Sequence, residues 1–425
     1  MFTILKNAWK MQDLRKKIFY TFFIILIFRI GSVIPVPFID FDALRASAST
    51  SSNDFFNYIS VLTGGGLEYG AVFAMSVTPY INASIIMQLL TVAFPNWLGR
   101  IAKEEDGQRK IAKYTRVATV ILGLLQGSGY YVWLNRSGMV NATGTFANIF
   151  AAIVIILCFT AGSAVMMWLG ERIDEKGIGN GISVLLFAGI ISRAPSAAVM
   201  LWNNFIGGKQ IAVIGIIVAF LIVIAFIVFM TGGERKIPII YAKRVVGRKI
   251  YGGQNTHIPI KVNMSGVMPI IFASSFLAIP TMALSFMSNT ESFWYRVFVL
   301  FSYRGAAYAL LYLAMIIGFA YFYVTIQYDP VEMANNLRKN SGSVPGIRPG
   351  QPTADYFKKI IGRITLIGAL FLGVIAILPL FAGSVSGINV SLGGTSVLIV
   401  VGVALDTVQS LESQMMMRHY KGFLD

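Results

Sequence analysis

The side chains that could act together in this chain are aliphatic, and they recur along the sequence. Residues 77 to 84 read V-T-P-Y-I-N-A-S and residues 267 to 274 read V-M-P-I-I-F-A-S, with five identical positions in eight. A second pair follows in the same order, since G-I-S-V-L-L at 181 to 186 resembles G-T-S-V-L-I at 394 to 399. Two ordered repeats predict a duplicated chain. The chemistry open to such residues is the exclusion of water and ions, because aliphatic groups cannot replace an ion's hydration shell.

Residue patterns typical of enzymes and metal sites are missing. The two histidines, His257 and His419, do not have the spacing of a metal pair, and the single cysteine, Cys158, allows no disulfide or thiolate cluster within the chain. Neither a G-x-x-x-x-G-K-[ST] phosphate loop nor a G-x-S-x-G elbow occurs. We therefore expect no enzyme activity, no cofactor and no metal, so that energy must come from a partner or a gradient.

The composition is that of an integral membrane protein. The 425 residues are 56% hydrophobic and 13% charged, with a mean hydropathy of +0.69, outside the usual range of a soluble domain. Apolar stretches of about 20 residues can cross roughly 30 Å of hydrocarbon as helices. We expect an all-α integral membrane protein with ten transmembrane helices, near 18–37, 72–94, 114–134, 149–169, 178–201, 211–230, 266–287, 305–326, 360–382 and 393–412.

Lysine and arginine are divided unevenly between alternate connections. The two termini, the even-numbered connections and the first residues of the spans that follow them hold 28 of the 35 basic residues, and the formal net charge is +16. Because positive charge marks the cytoplasmic side, both termini are predicted to be cytoplasmic. Nucleic acid is not needed to explain this charge, although a basic loop could dock on polyanionic ribosomal RNA.

Five predicted spans precede the midpoint of the chain and five follow it. An odd number of spans reverses the orientation of the second half, which is the condition for an inverted repeat, and such proteins place their pathway where the repeats meet. Six repeat residues are then expected to face the centre. All six are aliphatic and would form a dry collar: Val77, Ile81, Ile182, Leu186, Ile271 and Ile399. The alternative is ordinary packing between helices or against lipid.

The segment before the first octet is too polar and too interrupted to cross the bilayer. It runs from Asn53 to Phe73 and contains the triplet Gly64 to Gly66. Irregular backbone survives at membrane depth only where protein or a water-filled cavity surrounds it. Two interpretations remain open: a short movable stopper on the outer side of a constriction, or a surface connector.

Two long connections on the predicted cytoplasmic side are candidate binding sites, because long loops in compact proteins are usually functional or disordered. Residues 231–265 contain two strand-like runs separated by Gly252-Gly253, which predicts a projecting hairpin. Residues 327–359 contain P-G-I-R-P-G, whose prolines and glycines make a stiff tip that presents Arg348 outward. A solvated basic turn is the alternative.

Seven longer segments form a recognisable set. They read M-Q-D-L-R-K-K-I at 11–18, P-Y-I-N-A-S-I-I-M-Q-L-L at 79–90, G-I-G-N-G-I-S at 177–183, Y-A-K-R-V-V-G-R-K at 241–249, H-I-P-I-K-V-N-M-S-G-V-M-P at 257–269, N-L-R-K-N-S-G-S-V-P-G-I-R-P-G at 336–350 and G-G-T-S-V-L-I-V-V at 393–401. The set resembles the SecY family, the large channel subunits of the bacterial Sec protein translocase, over essentially the whole chain.

The resemblance implies a clamshell of two inverted five-helix halves, 1–205 and 206–425, around a central pore whose ring is the six-residue collar. It implies a lateral gate toward lipid between the second and seventh helices, near Gln88, Gln126, Ser274 and Ser275. It also implies an outer plug at about 55–70, with residues Phe55, Phe56, Tyr58, Ile59, Leu62, Gly64, Gly65, Gly66 and Leu67.

The implied activity is the conduction of unfolded preproteins across the bacterial cytoplasmic membrane, with lateral release of transmembrane segments into lipid. Signal peptides would enter the gate and nascent polypeptides would pass the ring. SecE and SecG are implied as partner subunits. Contact with the SecA motor ATPase or the ribosome is implied for Lys243, Arg244, Arg248, Lys249 and Arg348.

Two other functions are compatible with the hydropathy pattern. An inverted-repeat secondary transporter usually carries ionisable or cation-coordinating groups at mid-depth, whereas aliphatic residues are predicted there. A scaffold that docks ribosomes without conducting a chain is the second alternative.

Overall fold

A computed structural model of the chain describes residues 9–44, 65–67, 69–103, 106–141, 144–241, 244–246, 249–251, 255–286, 293–299, 306–386 and 394–421. The described residues form two compact units. The first is drawn from Met1–Val213, Ala278–Tyr303 and Ile388–Asp425. The second is drawn from Ile214–Leu277 and Arg304–Gly387.

Helices make up most of the described chain. They are α1 (Gln12–Gly31), α2 (Thr78–Ala93), α3 (Leu98–Lys103), α4 (Gly107–Arg136), α5 (Thr145–Lys176), α6 (Gly181–Ser192), α7 (Ala194–Ile206), α8 (Gln210–Gly232), α9 (Met268–Phe286), α10 (Phe293–Val299), α11 (Ala306–Gln327), α12 (Pro330–Lys339), α13 (Gln351–Ser386) and α14 (Gly394–Lys421). The strands are β1 (Glu234–Tyr241), β2 (Arg244–Val246), β3 (Lys249–Tyr251), β4 (Asn255–Lys261) and β5 (Gly342–Ser343).

Each of the ten predicted spans overlaps a helix. The fifth is divided into α6 and α7 at Arg193, and Pro195 lies at the start of α7, where its missing N–H costs no helical hydrogen bond. Among the described residues, seven helices are long and apolar enough to cross a membrane by length and composition. The helix α2 has only 16 residues and is not among them.

Small residues bring α4 and α5 together in the first unit. A Cβ added to Gly123 would lie 2.9 Å from the Ser163 hydroxyl oxygen, and one on Gly127 would lie 3.5 Å from the Ile156 carbonyl oxygen. Such residues let helices in membranes approach closely. The hydroxyls of Thr119 and Ser163 donate to carbonyl oxygens of their own helices, so the close packing leaves neither hydroxyl unbonded.

Two irregular segments of the first unit pair with each other. The Val36 N–H donates to the Gly70 carbonyl at 3.0 Å, and the Val72 N–H donates to the Ile34 carbonyl at 2.9 Å. Protein groups therefore satisfy this non-helical backbone, as the interior of a membrane protein requires.

The second unit carries a three-stranded antiparallel sheet in the order β4-β1-β5 and a separate β2–β3 hairpin. The strands β1 and β4 pair from Glu234–Lys261 to Ile240–Asn255, which confirms the predicted pairing of strands within 231–265. Gly252 and Gly253, the predicted turn, lie outside the described residues. The sequence did not predict β5, which joins the 327–359 connection to the sheet.

One buried core joins this sheet to α12 and α13. It includes Ile237 and Ile239 from β1, Leu337 from α12, and Phe357 and Ile361 from α13. Because these side chains share a core, the two long connections form one packed body rather than two independent loops.

We expect Phe357→Ala to destabilise this shared core by about 3–5 kcal/mol, because the ring is fully buried and its removal leaves a cavity. Limited proteolysis should then cut both long connections faster than in the unchanged protein. Lys358→Ala, at the exposed neighbouring position, is the matched control. Equal cleavage rates in the two variants would contradict the shared core.

Candidate functional site

The connection between α5 and α6 sets the position of the third predicted collar residue. The Asp174 carboxylate accepts the Gly181 N–H at 2.7 Å, and the Asn180 side chain caps α6 by accepting the Ser183 N–H at 3.2 Å. A Cβ on Gly181 would overlap the Gly170 carbonyl oxygen. The backbone of α6 therefore begins in direct contact with α5, and only glycine permits this approach.

The structure places five of the six predicted collar residues in the first unit and Ile271 in the second. All five lie in or directly before helices that pack within that unit, α2 against α4 and α5, and α6 against α14. Ile182 is half-buried, and its Cγ1 would lie 3.1 Å from a Cβ on Gly170 of α5. The other five are buried, with exposed fractions of 9% or less: Val77, Ile81, Leu186, Ile271 and Ile399. Their role as a pore ring stays a prediction.

Most of the predicted plug lies outside the described residues, namely Phe55, Phe56, Tyr58, Ile59, Leu62 and Gly64. Its last three positions, Gly65, Gly66 and Leu67, are described. Leu67 is buried, and its carbonyl accepts the Tyr130 hydroxyl of α4 at 3.2 Å. Gly65 has φ +88°, a conformation that glycine adopts without strain.

Two of the four polar residues of the predicted lateral gate bond within their own helices. The Gln88 amide donates to the Ser84 hydroxyl at 3.4 Å, and the Ser274 hydroxyl donates to the Ile271 carbonyl at 2.9 Å. Gln126 and Ser275 are half-buried. Polar groups satisfied inside one helix do not tie that helix to another, so the gate role of these residues is likewise untested.

The predicted partner-binding residues occupy two places in the second unit. Arg244 and Lys249 lie in the paired strands β2 and β3, whereas Lys243 and Arg248 lie outside the described residues. Arg348 is exposed, between two glycines at positive φ: +79° at position 346 and +105° at position 350.

Two hydrogen bonds fix the backbone of the Arg348 tip. The buried Thr353 hydroxyl donates to the Arg348 carbonyl at 2.8 Å, and the Ile347 N–H donates to the Val344 carbonyl at 3.1 Å. These bonds support the predicted stiff tip with Arg348 presented to solvent.

Sequence reasoning missed three residues that shape these sites. Ser76, directly before Val77, has φ +49° and a buried hydroxyl without a hydrogen-bond partner among the described residues. Strained φ angles of this kind occur preferentially at functional sites. Tyr130 and Asp174 are the other two. Nothing in the sequence marks them, because their partners are backbone groups, which every residue has.

Known proteins similar to this chain cover it almost completely. A sequence profile of the SecY family matches residues 71–408. The protein translocase subunit SecY of Streptomyces scabiei is 43% identical over 443 residues, covering 100% of both chains. This chain belongs to the SecY family. The protein translocase subunit SecY of Thermotoga maritima is 42% identical over 431 residues, covering 100% of this chain and 98% of that relative.

Solved structures share the SecY-family fold. "The structure of a protein conducting channel" gives a TM-score of 0.68 at 19% identity and covers 94% of this chain and 92% of that one. Sec61 in the canine ribosome–channel complex from the endoplasmic reticulum gives 0.64 at 18% identity, with the same coverage of both chains. The predicted helical membrane fold is confirmed, and the SecY family is one of channels rather than of enzymes.

We expect Gly181→Ala to destabilise the first unit by about 1–3 kcal/mol, because the added Cβ overlaps the Gly170 carbonyl and forces the backbones apart. The melting temperature in detergent should fall. Gly215→Ala in α8 is the control, since a Cβ there meets no atom within 4 Å. A melting temperature unchanged by Gly181→Ala would show that the α5–α6 contact is not tight.

Proposed function

We propose that this chain is the channel-forming subunit of a protein translocase, which conducts unfolded preproteins across a membrane and releases transmembrane segments into lipid. The observation that carries the proposal is the full-length similarity, at 42–43% identity, to proteins named protein translocase subunit SecY. The aliphatic side chains at the predicted ring positions, five of the six buried, support it. A secondary transporter is not favoured, because the predicted mid-depth positions carry no ionisable group.

The proposed pathway is sealed by a dry collar formed by Val77, Ile81, Ile182, Leu186, Ile271 and Ile399. Branched aliphatic groups resist wetting, so ions and water are excluded when no polypeptide is present. A threaded chain fills the constriction, and the collar offers it no specific hydrogen bond. Substrates of any sequence can therefore slide through without being arrested.

The proposed entry of a signal peptide separates the second and seventh predicted spans, which correspond to α2 and α9, near Gln88, Gln126, Ser274 and Ser275. Gln88 and Ser274 are already bonded within their own helices. An apolar segment that enters between these helices therefore breaks no hydrogen bond of these two side chains. The segment at about 55–70 acts as the outer plug in this proposal. A transmembrane segment then leaves sideways, driven by its transfer into hydrocarbon.

The proposed partner proteins drive translocation and complete the channel. The exposed Arg348 tip and the β2–β3 hairpin, with Lys243, Arg244, Arg248 and Lys249, form the surface for the ribosome and the SecA motor. The likeness to Sec61 in a ribosome–channel complex supports a ribosome contact. SecE and SecG complete the proposed channel, which lies in the bacterial cytoplasmic membrane with both termini cytoplasmic, as the charge distribution indicates. The proposed halves are 1–205 and 206–425.

Crosslinking of a stalled secretory chain tests conduction. In a protein whose only cysteine, Cys158, is replaced by Ala, the variants Ile81→Cys and Ile271→Cys should each form an adduct with a cysteine in the stalled chain. Ile211→Cys, 89% exposed on α8, is the control and should give none. A scaffold that docks ribosomes without conducting would give no adduct at Ile81 or Ile271.

Reversal of charge at the tip tests the motor contact. We expect Arg348→Glu to abolish motor-driven export in proteoliposomes while assembly with the partner subunits is retained, because the exposed side chain serves binding rather than folding. Lys339→Glu, an exposed charge reversal in the last turn of α12, is the control and should export at nearly the normal rate. Normal export by Arg348→Glu would remove the tip from the proposed motor surface.

A further inference from the structure

The last helix of the chain is built into the first unit. Residues of α14 pack against α6, and Leu411 of α14 is buried in one cluster with Leu14 of α1 and Ile178 of the α5–α6 connection. The exposed fractions of these three side chains are 4%, 3% and 3%. Three elements from the first 205 residues therefore surround one face of a helix from the second repeat.

The α5–α6 connection touches α14 through backbone. Gly179 has φ +77°, and a Cβ added to it would lie 3.3 Å from the Thr407 hydroxyl oxygen and 3.9 Å from the Thr407 Cα. The Thr407 hydroxyl donates to the Val403 carbonyl of its own helix at 2.7 Å. The side chain that meets the glycine is therefore small, and its hydroxyl hydrogen is already donated within α14.

Hydrogen bonds fix both ends of the α5–α6 connection, which packs against α14. The Thr21 hydroxyl oxygen of α1 accepts the Ile178 N–H at 3.3 Å, and the Asp174 carboxylate of α5 accepts the Gly181 N–H at 2.7 Å. A further bond reaches α14 directly, since the Lys17 ammonium of α1 donates to the Gln414 side-chain oxygen at 3.0 Å.

We propose that Thr407 and Leu411 are positioning residues for the collar: they bind α14 to the first half, so that Ile399 moves with Val77, Ile81, Ile182 and Leu186 as one body. Eight residues separate Ile399 from Thr407, about 12 Å along a helix, and a continuous helix carries the anchorage over that distance. The inference rests on the proposed channel function. It divides the moving parts differently from the sequence repeat, because Ile399 belongs to the second half of the chain.

A reversible crosslink between α1 and α14 tests whether the two move together. The variant Lys17→Cys/Gln414→Cys, in the Cys158→Ala background, is joined by a short bismaleimide whose linker contains a reducible disulfide. We expect the crosslinked channel to translocate a preprotein within about twofold of its rate after reduction. A loss of roughly tenfold or more that reduction restores would overturn the proposal, since it would show that α14 must leave α1 during translocation.

A packing variant tests the positioning role. We expect Leu411→Ala to raise ion conductance through the substrate-free channel in planar bilayers several-fold, because loss of the buried side chain loosens the anchorage of Ile399. Met416→Ala is the matched control on the same helix, 67% exposed, and should leave conductance unchanged. Leu411→Met conserves volume and should restore the seal.

The outcomes separate the inference from the proposed function. A merely structural role for Leu411 predicts a lower melting temperature with unchanged conductance per assembled channel, and that result would overturn the positioning role. An unmodified protein that translocates nothing in the same assay would instead refute the proposed channel function.

Discussion

The physical constraint on which the structure depends is the lack of water inside a bilayer, where each open backbone or hydroxyl group must find a partner within the protein. The hydroxyls of Thr119, Ser163 and Ser274 bond to carbonyls of their own helices. The non-helical segments around Val36 and Val72 bond to each other. The side chains that line the proposed passage can then be aliphatic throughout, which is what a seal without ion-binding groups requires.

Close backbone contact at glycine positions controls where the aliphatic residues lie. The Gly170–Gly181 contact starts α6 directly against α5, and the Gly179–Thr407 contact brings α14 to the same place. A membrane offers little hydrophobic driving force between helices, so packing of small residues takes its place. The predicted collar positions Ile182, Leu186 and Ile399 therefore depend on contacts that lie no more than about two turns away along the same helices.

The part of the second unit outside the predicted spans is stabilised in a different way. A sheet, α12 and the start of α13 share a buried core of the kind found in water-soluble proteins. This core holds a tip whose exposed cation, Arg348, rests on backbone fixed by Thr353. We propose that the force for translocation comes from a partner, and a preorganised surface would lower the entropic cost of binding that partner.

Much of this protein could be predicted from residue order. Apolar runs predicted ten spans, each of which overlaps a helix, because a bilayer imposes a length and a composition on any helix that crosses it. The motifs around 79–90, 177–183 and 336–350 were specific enough to indicate the family, and the prolines and glycines around Arg348 predicted the stiff tip. These features depend on residues that are neighbours in the sequence, so they can be predicted from it.

The remaining features required the folded chain. The bond from Tyr130 to the Leu67 carbonyl, the anchoring of Gly181 by Asp174, and the pairing of β5 with β1 join segments that are separated in sequence or involve backbone groups common to all residues. The same is true of the membership of α14 in the first unit. Sequence repeats report how a chain was duplicated, whereas packing decides which of its helices are held together, because contact free energy depends on spatial neighbours and not on the order of residues.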